Sequence, residues 1–491
     1  MPQHVLPVQG KKRWGSIPHR KEDFAILILE SSILVIFLVL DLAISSIKLY
    51  NAAEIDGNFN WLRQNTLRIM TASIMTTSMR LLAPLFLFLF STTLAADWPM
   101  FHGPDGNNRS AETGLLTSWS EGGPTLIWKI DGIGEGVSGY SSVTIQNGRL
   151  FTSGNRDGRS IVFCFDLDGN KLWEFDNGPA WTRSYPGTRS TPTVDGEFVY
   201  DLSPLGELVC IRVTDGEKVW RRNILTDFEG ENIIWGLSES LRIDGDRLFA
   251  SPGGAQASFV ALDKRTGETI WTTPSLGERT SYGSPIIFEH GGLRIIATAY
   301  AKGMFGVNAE NGELLFRFRH EQTNDILCTR PIYYDGHLFF TANTFRDVGQ
   351  GAVMLRLSVV DGKISLEEVW RNRSFDNLHD GVILLDGFLY GTSSYHQGGV
   401  FMCVDWQTGE TRYATRDVGQ GALTWAEGLL YFLSERGEVL LIRPNPERYE
   451  VISRFELPEG GEGATWAHPV ISGKRLYIRH GTFLYCFDIA R

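Results

Sequence analysis

A short phrase recurs along this chain at a nearly fixed interval: an apolar strand, a polar turn ending in Gly, and an aromatic residue four positions beyond that Gly. Leu202–Trp220, "LSPLGELVCIRVTDGEKVW", is a full copy. Gly169/Trp173, Gly216/Trp220, Gly267/Trp271, Gly312/Phe316 and Gly409/Tyr413 keep the same spacing, and Trp370 and Phe455 follow longer turns. A repeat of about 40 to 50 residues built from short strands cannot bury an apolar face alone. It does so by stacking on its neighbours, as the blades of a β-propeller do. The aromatic slot falls in an outer strand, so its residues are expected to plug the gaps between blades.

Turn chemistry counts the blades. First hairpin turns fall at Asn147-Gly148, Asp195-Gly196, Asp244-Gly245, Gly291-Gly292, Asp335-Gly336, Asp386-Gly387, Glu427-Gly428 and Ser472-Gly473. Most are Asn-Gly or Asp-Gly, which suit the positive φ of two-residue hairpins. Second turns number one fewer, at Gly169, Gly216, Gly267, Gly312, Gly362, Gly409 and Asn445-Pro446, because Arg491 follows directly on "LYCFDIA". The last blade therefore lacks an outer strand. Leu126–Ile130, "LIWKI", is the unpaired strand able to supply it. The expectation is an all-β, eight-bladed propeller over 126–491, its last blade closed by an N-terminal strand that carries Trp128. Residues 97–125, rich in Gly, Pro and polar groups, read as an extended lead-in packed on one face.

Upstream, the sequence changes character. Met79-Arg80, the apolar run Leu81–Phe90 and the small residues "STTLAA" have the layout of a secretory signal peptide over 79–96. Residues 1–78 then read as a non-native or disordered extension, within which 24–47 is a candidate transmembrane helix interrupted by Glu30 and Asp41. Without that helix there is no stable membrane anchor, and the chain is exported to the periplasm or secreted. The whole chain carries a net charge of −11. It becomes −14 once residues 1–96, with nine basic and six acidic side chains, are set aside. A body this acidic repels nucleic acid, which is excluded as a partner. Cys164, Cys210, Cys403 and Cys486 share one place in four repeats, where Ala261 stands in another, so they read as small buried hydrophobes and not as disulfide partners. Cys328 lies outside the pattern.

The segments "ALDKRTGETIW", "CVDWQTGETRY" and "CIRVTDGEKVW" resemble the pyrroloquinoline-quinone (PQQ) repeat shared by quinoprotein dehydrogenases and the BamB outer-membrane assembly factors. The resemblance covers about Leu126–Arg491. The opening "DWPMFHGPDGNN" with "ETGLLTSW" is similar to PQQ-like propellers of planctomycete type. The quinoprotein likeness implies PQQ held by stacking and Ca²⁺, with Glu239 and Asp380 as the candidate carboxylates. It departs from that group in having no vicinal Cys-Cys pair, no long blade insertions and no Cys-x-x-Cys-His. The BamB likeness implies a protein-binding scaffold, although that family is exported with Cys at its cleavage point and the first cysteine here is Cys164.

Loops and inner-strand starts converge at one mouth of a propeller channel, which is where a ligand or partner is met. Alignment on the first turns brings Tyr140, Arg189, Glu239, Tyr282, Arg330, His379 with Asp380, Gln420, and Trp466 with His468 to that mouth. The loops 178–188 and 228–238 add Arg183, Tyr185 and Trp235. The functional reading is a protein- or ligand-binding scaffold of the cell envelope, with no catalytic or metal-binding residue assigned; the alternative is a PQQ-dependent alcohol or sugar oxidoreductase. N-terminal sequencing of the mature protein should begin at Ala96 or Asp97, and an intact Met1 would overturn the export argument.

Overall fold

The computed structural model describes residues 97–491 apart from 136–138, 321–325, 344–349, 379–380, 394–398, 459 and 462. The extension, the candidate membrane helix and the signal peptide lie outside the described residues. The chain is an eight-bladed β-propeller of seven four-stranded sheets and one five-stranded sheet. Among the described residues the one helical turn is Ile224–Asp227, and no helix is long and apolar enough to cross a membrane. Blade 1 runs from Thr144–Gln146 through Lys171–Pro179, and blade 7 from Gly421–Ala426 through Val451–Glu456. Blade 8 takes Val470–Ser472, Arg475–His480 and Phe483–Asp488 from the C-terminus and its outer strand, Thr125–Ile130, from the N-terminus. Trp128 lies opposite Cys486, so the ring closes as the turn count requires.

The aromatic slots carry the contact from blade to blade. The Trp128 indole covers Gly169 of blade 1, Trp173 covers Gly216, Trp220 covers Gly267, Trp271 covers Gly312 and Trp370 covers Gly409. A Cβ on Gly216 would stand 2.9 Å from the Trp173 ring, and its φ of 77° already favours glycine. The sequence pairs Gly with the aromatic because the turn must let the neighbouring ring pass. Four of the indoles also donate Nε1–H across the gap: Trp128 to Leu167 O, Trp173 to Val213 O, Trp220 to Lys264 O and Trp370 to Trp406 O, each at 2.9 Å.

Opposite each plug, on the next strand inward, stands a residue that tolerates a flat ring: Cys164, Cys210, Ala261, Gly306, Met354, Cys403 and Cys486. Four cysteines are thus fully buried in four different blades. Burial pushes the Cys164, Cys210 and Cys486 thiols up to about 12 and that of Cys403 to about 11. Blade 7 departs from this register. Phe455 pairs with Val439, two residues beyond Ser453 in the regular slot, yet still reaches Gly123, the turn residue before the closing strand.

The lead-in departs further from expectation. Instead of packing on one face, it passes along the inner strands into the centre of the ring. Trp98 bridges Ile145, Val194 N–H donates to Pro99 O at 2.7 Å, and Met100 Sδ meets Arg242. Arg330 then donates to Gly106 O. Arg109–Ser110 pairs parallel to Trp425–Ala426 as the fifth strand of blade 7, and Ser110 Oγ donates to Ile471 O of blade 8 at 3.1 Å. Buried Trp98, His102 and Asn108 give this polar segment enough apolar and hydrogen-bonding anchorage to enter the channel.

Trp128→Ala should cost about 3 kcal/mol, the loss expected for truncating a well-packed indole. Urea unfolding monitored by far-UV circular dichroism measures it, with exposed Leu172 (46% exposed) changed to Ala as the comparison. A loss below about 1 kcal/mol would remove the plug from its closing role.

Candidate functional site

A belt of side chains one layer outside the channel sets the geometry of its mouth. Ser142, Thr191, Ser240, Ser284, Arg330 and His468 each stand two residues before the first strand of their blade. His468 N–H donates to Ser142 Oγ at 2.8 Å, Ser142 N–H to Thr191 Oγ1 at 3.0 Å, Thr191 N–H to Ser240 Oγ at 3.0 Å and Ser240 N–H to Ser284 Oγ at 2.9 Å. Five blades are stitched this way by hydroxyls too short to fill the channel. At Arg330 and His468 the same position carries a long or ring-bearing side chain, and there the lead-in docks. Arg330 Nη1 donates to His102 Nδ1 at 3.2 Å, and Asn108 Nδ2 lies 2.9 Å from His468 Nδ1. The two imidazoles stand 4.6 Å apart, with Phe101 3.9 Å from His102.

His102 therefore separates two cavities. The first, of about 180 Å³, opens at the loop face and is lined by Phe101, His102, Tyr140, Tyr185, Arg189, Trp235, Tyr282, Arg330 and Trp466 with small hydroxyl residues. Tyr140 and Trp466 approach to 4.4 Å, Trp466 and Tyr185 to 5.3 Å, and Tyr185 and Trp235, then Trp235 and Tyr282, to 6.0 Å. Five rings form one arc around the mouth. Arg189 lies over Tyr140 at 5.5 Å and Trp181 at 5.9 Å. Its guanidinium donates to Gly187 O and Tyr185 O, and burial lowers its pKa to about 10. Tyr185 is half exposed and holds φ at 53°, a conformation uncommon for an aromatic residue and frequent where a side chain is presented for use.

Seven of the predicted residues thus meet in one place: Tyr140, Tyr185, Arg189, Trp235, Tyr282, Arg330 and Trp466. Arg183 is exposed on the far side of Trp181, its guanidinium 5.5 Å from that ring. His468 is buried behind His102. His379 and Asp380 lie outside the described residues. Glu239 is turned away from the mouth, because Ser251 offers its carboxylate both a backbone N–H at 2.9 Å and a hydroxyl at 3.1 Å in the interior of blade 3. Phe101 and His102 were absent from the sequence reading. They belong to no repeat, and their one signal is a pair of adjacent aromatic rings within a Gly- and Pro-rich lead-in.

A family model described as outer membrane protein assembly factor BamB matches residues 97–281 and 255–374, more than half of the chain. The chain belongs to this family. A BamB of Kangiella koreensis is 22% identical over 209 residues, which are 42% of this chain and 48% of that protein; the chain spans about half the length of this curated relative. The crystal structure of BamB from Moraxella catarrhalis superposes with a TM-score of 0.52 at 13% identity, over 74% of this chain and 97% of that one. A europium-containing methanol dehydrogenase gives 0.60 at 10% identity, over 79% and 90%. The quinohemoprotein alcohol dehydrogenase of Comamonas testosteroni gives 0.55 at 12%, over 80% and 81%. Identities this low establish the shared fold alone.

Among the described residues, the mouth of this BamB-family chain offers no carboxylate to Ca²⁺, and the candidate Asp380 lies outside them. Ca²⁺ takes roughly 6–8 oxygen ligands, several of them carboxylates. Among the described residues the cavity is walled by aromatics, hydroxyls and cations without a carboxylate, and no group of acidic and other ligating side chains is placed to hold a metal. Burial also raises the Glu239 pKa to about 8, against opposition from the Ser251 bonds, so at neutral pH it is chiefly a protonated acid. That proton is released from the unfolded chain near pH 4.5 but kept by the fold. The stability linked to it is complete below about pH 4.5 and is lost as pH rises to about 8. Glu239→Gln should flatten this dependence and raise stability at pH 8 by on the order of a few kcal/mol. Urea midpoints at pH 5 and 8 test it, and a Glu239→Gln protein that loses stability equally at both would refute it.

Proposed function

We propose that this protein is a binding propeller of the cell envelope, exported as its signal-like segment implies, that docks a protein partner at the aromatic mouth. The observation that carries this reading is the arc of Tyr140, Trp466, Tyr185, Trp235 and Tyr282, with Arg189 held against it. Interfaces take most of their energy from Tyr, Trp and Arg side chains clustered at a depression, where large rigid rings exclude water at little entropic cost. The cavity, of about 180 Å³, has room for one inserted side chain. Membership of the BamB family, whose model bears the name of an assembly factor, supports a protein as the occupant.

Quinone-dependent oxidation is the alternative reading. Two measurements separate the readings. A pull-down from envelope extract with the immobilised protein should recover a partner that a Tyr185→Ala/Trp235→Ala variant of unchanged melting temperature loses by tenfold or more. Mixing the protein with PQQ and Ca²⁺ should give no bound-quinone absorbance and no dye reduction with alcohols or sugars; turnover there would overturn the scaffold reading.

A further inference from the structure

The second cavity, of about 220 Å³, lies beyond His102 and Arg330 and is lined by Arg109, Arg242, Arg330, Asp105, Tyr333 and Tyr334 among others. Two guanidiniums converge on its floor. A Cβ at Gly106 would stand 2.8 Å from Arg330 Nη2 and 3.1 Å from Arg242 Nη1, so both reach the same point on the lead-in backbone. Arg330 is 8% exposed, and its partners are all neutral: His102 Nδ1, Gly106 O and Pro285 O. His102 is itself held in the neutral form by burial and by its cationic neighbours, which drive its pKa well below the usual value. The Nε–H groups of Arg109, Arg242 and Arg330 are buried without a hydrogen-bond partner.

Many exposed arginines of this protein are matched to carboxylates, whereas the buried Arg479 bonds Gly481 O, Thr152 Oγ1 and Ser153 O. Arg294, next to Arg242, binds Asp244 through Nε at 2.7 Å and Nη2 at 2.6 Å, which leaves that carboxylate engaged. Asp244 and, to a smaller extent, the exposed Asp105 that lines the cavity offset part of the Arg242 charge. Among the described residues, Arg330 on the buried floor has no carboxylate partner. Burying an uncompensated guanidinium costs several kcal/mol, and converging two of them adds repulsion. An acidic protein keeping such a pair, with unfilled donors and an adjoining space, has the features of a site completed by an anion.

We propose that the cavity bounded by Arg109, Arg242 and Arg330 binds the phosphate or carboxylate group of a small acid. Planar guanidiniums are shaped for two parallel N–H donations to an oxyanion. The space exceeds what one such group needs, leaving room for a small organic remainder against Phe288, Ile332 and Tyr333. This site lies across the lead-in from the aromatic mouth and does not depend on the mouth's function.

The test uses the full-length protein, with inorganic phosphate, sulfate and malonate titrated calorimetrically against chloride at equal ionic strength. Saturable binding of at least one of the three is expected, with the better of phosphate and malonate identifying the group preferred. Arg242→Gln should weaken that binding about tenfold or more, the usual effect of losing a charge-assisted hydrogen bond, while Tyr185→Ala in the mouth should leave it unchanged. Arg330→Gln removes a buried contact to the lead-in and risks misfolding, so Arg109→Gln serves as the second variant and should also weaken it. Heats no greater than chloride for all three anions, or unaltered binding by folded Arg242→Gln and Arg109→Gln proteins, would overturn the proposal.

Discussion

Each blade of this protein is a sheet with two apolar faces that no residue of its own can cover, and the contact of an indole with the next blade's turn glycine is what covers them. The contact has three linked demands. A small residue must lie opposite the ring in its own sheet, as Cys164 does for Trp173. A residue without Cβ must lie in the next turn, as Gly216 does. A carbonyl must receive the indole N–H, as Val213 O does. Those demands explain why four buried cysteines recur beside aromatics without pairing. They also explain why one spacing, Gly to aromatic, is so constant.

Where a demand fails, other forces take over. Trp271 covers Gly312, but its Nε1–H is buried without a partner. Phe316 of blade 4 has no indole nitrogen and packs back over Gly306 of its own blade. The gap to blade 5 is bridged instead by a long hairpin, Ala352–Val360 with Lys363–Asn372. Its Lys363 pairs with Glu313 and donates to Leu314 O, and Ile364 and Leu357 join the core shared with Leu315. An exposed ion pair adds little energy, so the apolar pair is the stronger part of that junction.

Repetition also decides how much could be read beforehand. The eight blades, the closing strand and the position of Trp128 follow from turns counted against aromatics, because each repeat calibrates the others. Five mouth residues are reachable by the same alignment, and Tyr185 and Trp235 by the length of their loops. The side chain of Glu239 is not, since alignment fixes where a residue sits along the repeat but not which way its carboxylate turns, and Ser251 lies just beyond the next strand, Arg247–Ala250. The lead-in was read poorly for the opposite reason: it occurs once. Nothing in "PMFHGPDGNN" announces that His102 will divide a channel or that Gly106 will receive two guanidiniums, both of which depend on residues more than a hundred positions away.

The closing strand has a further meaning when time is considered. Thr125–Ile130 pairs with Phe483–Asp488, so one of the earliest-made segments of the propeller waits for the last few residues before its backbone groups are satisfied. Loop closure over such a span is slow, and contacts formed so late contribute to the barrier against unfolding more than to the rate of folding. During synthesis the chain carries an exposed edge at each end that can pair with another molecule. Once joined, those edges vanish together. The same pairing makes the nascent chain vulnerable and the finished ring persistent.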